Sequence, residues 1–417
     1  MSGPDLHSTQ SRVRSSATTL RPPIAADRAE WVDALRGFAL LGIVLYNIEV
    51  FSGVAFRGLM PDLRPIGAAL DPAIEFIAHW LVQGKFYSLF SFLFGLGIAL
   101  QLQQAQAAGT RGVSVLRRRL GWLFVFGLAH SLLLWFGDIL TVYALLGFGL
   151  LLARHLSTPA LLVTALAFLA SPLPIYLLFM AFGVGDPLAG DPAQPPEQSM
   201  VGKAVQAIRT GSYIEVVQGQ AVFYPGGWLR RAIQLALPRI FGMFLLGAWA
   251  ARVGLPRLDA PQQVLLRAWL GCGAAFGLPL SLALAIAGGN QAMFPVGPHG
   301  LLVVALATIS MPLLCLGYVA AFGLYWRAPR PRSLLVSAGR TGLSHYLGQS
   351  LLCVLMFYGY GLGLFGHFGY GVALLVALSV FLVLGLAGRW WLQRFAQGPA
   401  EALWRRLSVG RAQPART

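Results

Sequence analysis

The 417-residue chain is 57% hydrophobic and only 11% charged, with a mean hydropathy of +0.67, which excludes an ordinary soluble domain and sets the class as an all-α, polytopic membrane protein. The formal charge of +16 does not read as nucleic-acid affinity, because the basic residues lie between apolar runs and at the termini rather than on one polar module. Cys272, Cys315 and Cys353 fall inside apolar runs without metal-ligand spacing, so no disulfide framework, metal site or redox chemistry is indicated.

In chain order, residues 1–30 are rich in Ser, Arg and Pro, lack an apolar signal-peptide core and read as a disordered cytoplasmic tail. A transmembrane helical domain is predicted over 31–396, in about ten spans. The first opens with Asp33 and Arg36 and runs apolar as far as Asn47 and Glu49. Arg36 and Asn47 are then roughly 16 Å apart along the helix, about half a bilayer core. Ionisable groups in lipid are costly and usually face a bundle interior, so this helix is expected to line a path rather than anchor the chain.

A Pro-containing loop follows, and Lys85 introduces a second span that ends near Leu102. The Arg111, Arg117, Arg118, Arg119 turn is basic, and a third span carries His130 before a tight Gly137-Asp138 turn. The fourth span covers about 139–153 and holds Tyr143, and the fifth covers about 160–182. Residues 183–232 break the hydropathy and are predicted to form an external loop or cap. Spans six to eight cover about 239–251, 264–287 and 301–325, span nine begins after Gly339-Arg340, and span ten ends at Arg389. Residues 397–417 read as a basic cytoplasmic tail. With both termini inside, 23 of the 31 Lys and Arg residues fall on the inner side, the asymmetry expected of a membrane protein with this orientation.

Several polar groups within these spans are candidates for chemistry. Asn47 and Glu49, an amide and a carboxylate near the outer end of span one, suit a polar substrate; Glu49 also reads as a marker of the water boundary. His130 suits a proton carrier or general base, since an unperturbed imidazole changes charge near neutrality, in preference to a helix-to-helix hydrogen bond. Asp138 is eight residues further on, so a His130–Asp138 pair requires the Gly137 turn to fold back. In span nine Arg340 with Ser344, and His345 with Gln349, are spaced to line one inward face. There is no nucleophile elbow, HExxH, Walker loop or dinucleotide fingerprint.

The motifs Leu35-Arg36-Gly37-Phe38-Ala39 with Asn47, Lys85-Phe86-Tyr87-Ser88-Leu89-Phe90, Gly127-Leu128-Ala129-His130, Gly137-Asp138-Ile139-Leu140 with Tyr143, Gly339-Arg340 with Tyr346 and Gln349, and Gly398-Pro399-Ala400-Glu401 with Trp404 resemble, in this order, the YeiB-like bacterial integral-membrane proteins. Ser344-His345 departs from that family's usual Thr-Asn. More distantly, the Arg36-to-Asn47 stretch is similar to the first helix of membrane acyltransferases, including heparan acetyltransferases; one branch of these has a His where this chain has Asn47. The resemblance implies acyl transfer from a cytoplasmic donor, with acyl-CoA as the expected one, to a cell-envelope acceptor. Arg36 and Arg340 are then expected to hold the donor, with His130, Asn47 and Asp138 catalytic and Glu49, Lys85, Tyr143, Tyr346 and Gln349 binding substrate. The alternative is a small-molecule transporter built on the same inward polar groups.

Overall fold

The computed structural model describes residues 24–60, 62–107, 112–184, 199–233, 235–289, 296–326 and 333–409. Every regular element among these residues is helical, apart from an isolated bridge between Ile66 and Phe368. The α-helices in order are α1 (Ile24–Phe51), α2 (Asp71–Leu81), α3 (Lys85–Ala107), α4 (Gly112–Leu133), α5 (Leu140–Leu152), α6 (Thr158–Ala170), α7 (Pro172–Ala181), α8 (Met200–Thr210) and α9 (Tyr213–Ile233). Then come α10 (Ala236–Arg252), α11 (Ala260–Cys272), α12 (Leu278–Ile286), α13 (Pro298–Tyr325), α14 (Leu334–Arg340), α15 (Gly342–Phe357), α16 (Tyr370–Trp391) and α17 (Pro399–Val409).

Among the described residues, six helical stretches are long and apolar enough to cross a membrane: Glu30–Leu59, Ala68–Ala107, Thr158–Ala181, Ala260–Ile286, Pro298–Tyr325 and Tyr370–Trp391. Leu140–His155 and Gly342–Phe357 are shorter apolar helices at the predicted fourth and ninth spans, and the remaining two predicted spans fall on α4 and α10.

α1 is the shared wall of two cores. Trp31, Val32, Leu35 and Ala39 pack into a cluster with α3, α5, α6, α10 and α13, whereas Leu40, Ile43, Val44, Ile48 and Phe51 pack into a second with α15 and α16. α3 and α10 cross at backbone distance: a Cβ on Gly95 would sit 2.0 Å from Phe244 O, and one on Gly247 would sit 2.0 Å from Phe92 O. Side chains larger than hydrogen would force these helices apart, and in lipid such close packing replaces the hydrophobic drive between helices.

Three segments differ from the sequence reading. The helix of α1 begins at Ile24, within the predicted tail, of which residues 1–23 lie outside the described residues. Much of the predicted loop over 183–232 is the helical pair α8 and α9, with 185–198 outside the described residues. This pair rests on the end of α4, where Tyr213 OH donates to Leu133 O and Gln220 Nε2 to Leu134 O. The predicted basic tail is mostly α17, docked against α4 and α15, with 410–417 outside the described residues. Its charged residues suggested solvent, but Glu401 and Trp404 point it inward.

Candidate functional site

The Gly137-Asp138 turn does fold back. Asp138, 1% exposed, accepts hydrogen bonds from Thr141 N (2.9 Å) and Thr141 Oγ1 (2.5 Å) in the first turn of α5, and its Oδ1 lies 3.1 Å from His130 Nδ1. Gly127, one turn before His130 on α4, leaves room for this: a Cβ there would be 2.5 Å from Thr141 N and 3.0 Å from Asp138 Oδ2. With Asp138 ionised, the Nδ1 proton faces the carboxylate and Nε2 carries the free lone pair, the tautomer a base requires. Nε2 is buried and has no hydrogen-bond partner among the described residues. The imidazole packs on Tyr346, with ring centroids 5.3 Å apart.

Two cavities flank this dyad, toward opposite ends of α1. One, of about 270 Å³, is lined by Arg36, Gln101, Arg119, Arg340, Glu401 and Trp404 together with apolar side chains of α3 and α4. The second, of about 400 Å³, is lined by Tyr46, Asn47, Glu49, Gln83, Trp135 and Gly137, among others. Tyr346 lines both. His130 lines neither and meets them through the tyrosine ring.

The basic cavity draws its polar lining from α1, α3, α4, α14 and α17. Arg36 and Arg340 are each adjacent in sequence to a glycine, and the glycines set α1 against α14: a Cβ on Gly37 would fall 2.0 Å from Leu335 O, and one on Gly339 would fall 1.8 Å from Asp33 O. Arg36 Nη1 donates to Asp33 Oδ1 at 2.7 Å. Arg119 Nη1 donates to Gln101 Oε1 at 2.7 Å, and its guanidinium lies 4.5 Å from the centre of the Trp404 ring. α17 closes this cavity, because Glu401 accepts from Leu343 N (2.6 Å) and Ser344 N (3.1 Å) at the start of α15, and Trp404 Nε1 donates to Arg119 O (2.8 Å).

The other predicted residues are placed differently. Lys85 is fully buried and spends its ammonium on His79 O at 2.7 Å, beside the break between α2 and α3, and it does not line the larger cavity. Gln349 Nε2 donates to Leu40 O at 3.2 Å and ties α15 to α1. Tyr143 lines the basic cavity, but its hydroxyl is engaged by Ser91 Oγ (2.7 Å) and Tyr87 O (3.1 Å). The predicted stripe on span nine divides: Ser344 turns to Glu401, and His345 packs on Phe381. Near Glu49, Arg57 pairs with Asp71 and Glu75.

Sequence reasoning missed Arg119, Trp135, Glu401 and Trp404 as site residues. Arg119 was hidden in a run of arginines that reads as an inner-loop signal, and Trp135 in an apolar run. Glu401 and Trp404 stood in a motif that was legible, on a segment whose charge suggested solvent.

These features define a helical membrane protein with two cavities that share Tyr346 in their lining. A family model described as "Protein of unknown function (DUF418)" matches residues 250–411. The chain is 31% identical to the uncharacterized protein YxaH of Bacillus subtilis, over 95% of this chain and 98% of the relative, and 30% identical to the uncharacterized protein YeiB of Escherichia coli, over 93% and 98%. A 39.9 kDa protein in the amylase 3' region of Bacillus acidopullulyticus is 27% identical over 94% of this chain and 97% of the relative. The chain belongs to the YeiB-like family. No solved structure matches it.

Proposed function

We propose that this protein is a multi-pass inner-membrane acyltransferase, with ten spans and both termini cytoplasmic, that moves an acyl group from a cytoplasmic donor to an acceptor at the external face. The observation that carries this reading is that Tyr346, packed on the imidazole of the His130–Asp138 pair, lines both a cavity with three arginines and a larger one with an amide and a carboxylate. Arginine suits phosphate, so Arg36, Arg119 and Arg340 would hold the phosphates of acyl-CoA. The acceptor hydroxyl or amine would enter the outer cavity between Asn47 and Glu49. His130 Nε2 takes its proton as it attacks the thioester carbonyl, the carbon–sulfur bond breaks, and the proton returns to the departing thiolate. Asn47 polarises the carbonyl, and Tyr346 swings aside to admit His130.

Purified protein in lipid, supplied with labelled acyl-CoA and a cell-envelope extract, is expected to yield a labelled acceptor. His130→Ala should lower that yield about 10²–10⁴-fold, the usual worth of positioned proton transfer. The same pair of cavities also suits a permease, since Tyr346 lines both. Solute accumulation in vesicles that requires His130, without any labelled acceptor, would replace the acyltransferase reading.

A further inference from the structure

A third cavity, of about 270 Å³, shares only Ile98 with the arginine cavity and lies where α3, α5 and α10 end and α6 begins. Its polar lining is Gln103, Gln106, Arg154 and Arg252, over apolar side chains that include Ile98 and Leu150. No carboxylate lines it, and neither arginine forms an ion pair among the described residues. Backbone carbonyls fix both. Arg252 Nη1 donates to Leu156 O (2.5 Å) and its Nη2 to Arg154 O (2.9 Å), while Arg154 Nη1 donates to Leu151 O (2.6 Å). Carbonyl dipoles orient a guanidinium without cancelling its charge, so two positive charges face one concave space beside neutral amides. The neighbouring surface of α5 and α6 is apolar and exposed at Leu152, Val163 and Leu166.

We propose that this cavity binds the phosphate group of an anionic phospholipid, whose acyl chains lie along the exposed face of α5 and α6. Two uncompensated guanidiniums match a phosphodiester, the amides suit the polar part of the headgroup, and the adjoining apolar surface suits the tails. Inorganic phosphate shares the anionic chemistry but lacks the tails.

The test is lipid selectivity of the full-length protein in phosphatidylcholine bilayers carrying spin-labelled phosphatidylglycerol. Wild type is expected to enrich the anionic lipid at its surface. Arg154→Gln should reduce the enrichment about fivefold, the attraction of one basic residue for an anionic lipid. Arg252→Lys, which keeps the charge if the carbonyl contacts loosen, should retain most of it, and Arg340→Gln in the other basic cavity should leave it unchanged. Phosphate and chloride at equal ionic strength should affect the enrichment alike if a lipid occupies the site; selective displacement by phosphate would assign the site to the free anion. A folded Arg154→Gln protein with undiminished enrichment, or a loss confined to Arg340→Gln, overturns the proposal.

Discussion

Glu401 Oε2 accepts a hydrogen bond from Ser344 Oγ at 2.5 Å, joining two residues 57 positions apart, and its other oxygen accepts from the first amides of α15. One carboxylate therefore caps a helix and docks the C-terminal helix. Glu401→Ala should orphan these half-buried donors, at a cost of about 1–3 kcal/mol. The expected readout is a lower unfolding temperature in detergent, with protease cleavage in α17 before the rest unfolds. Glu401→Gln, which still accepts, should lose less.

Gly127 admits the Asp138 turn. A methyl group there meets the Thr141 backbone nitrogen, which cannot yield as a side chain can, so Gly127→Ala should cost about 1–3 kcal/mol and lower His130-dependent activity. Gly121 on the same helix has nothing within 4 Å of an added Cβ. Gly121→Ala should therefore be neutral or stabilise by up to about 1 kcal/mol. Thermal unfolding of the two variants side by side decides this; equal destabilisation would refute the packing argument.

Tyr346 is the ring common to both cavities. Tyr346→Ala should make vesicles containing the protein leak a trapped small solute, whereas Tyr346→Phe, which keeps the ring, should stay tight. Truncating a buried aromatic costs about 3–5 kcal/mol, so Tyr346→Leu serves if the alanine variant does not fold. Tight vesicles with a folded leucine variant would mean that more than this ring divides the cavities.

Asp62 and Arg209 tie α8 to the loop after α1, with Arg209 Nη2 donating to Asp62 Oδ2 at 2.8 Å. That hydrogen bond holds the Asp62 carboxyl below the usual carboxylate range. Because the docked pKa is the lower one, the tether is complete above the undocked value of about 3.9 and is lost as pH falls through the docked value. Amide exchange over residues 200–210, corrected for intrinsic rates, should quicken only in that acid window. Asp62→Asn should quicken it at neutral pH and remove the acid step. Ser212 lowers Glu215 in the same way, but that pair caps α9 and remains in the variant.

The helical class and the positions of the apolar helices were legible because lipid demands length and hydropathy, both of which sequence displays directly. The His130–Asp138 pair was half legible: spacing showed that a fold-back was required, and only the fit of Gly127 against Thr141 decided it. Lys85, expected to bind substrate, instead donates to His79 O, a carbonyl in the last turn of α2 beside the break that precedes α3. α17 was read as a tail because its partners, Ser344 and Arg119, lie far away in sequence. Charge near a terminus does not reveal whether it faces water or caps another helix.

The main-chain contact of Gly37 with Leu335, and of Gly339 with Asp33, has a consequence for what the arginine cavity accepts. The guanidinium tips can swing on their stems, but the points from which Arg36 and Arg340 spring are held apart by backbone touching backbone. Lysine in place of either arginine keeps the same span, whereas alanine at either glycine widens it. If Arg36 and Arg340 hold the donor as proposed, selectivity for its size is set by residues that carry no side chain at all.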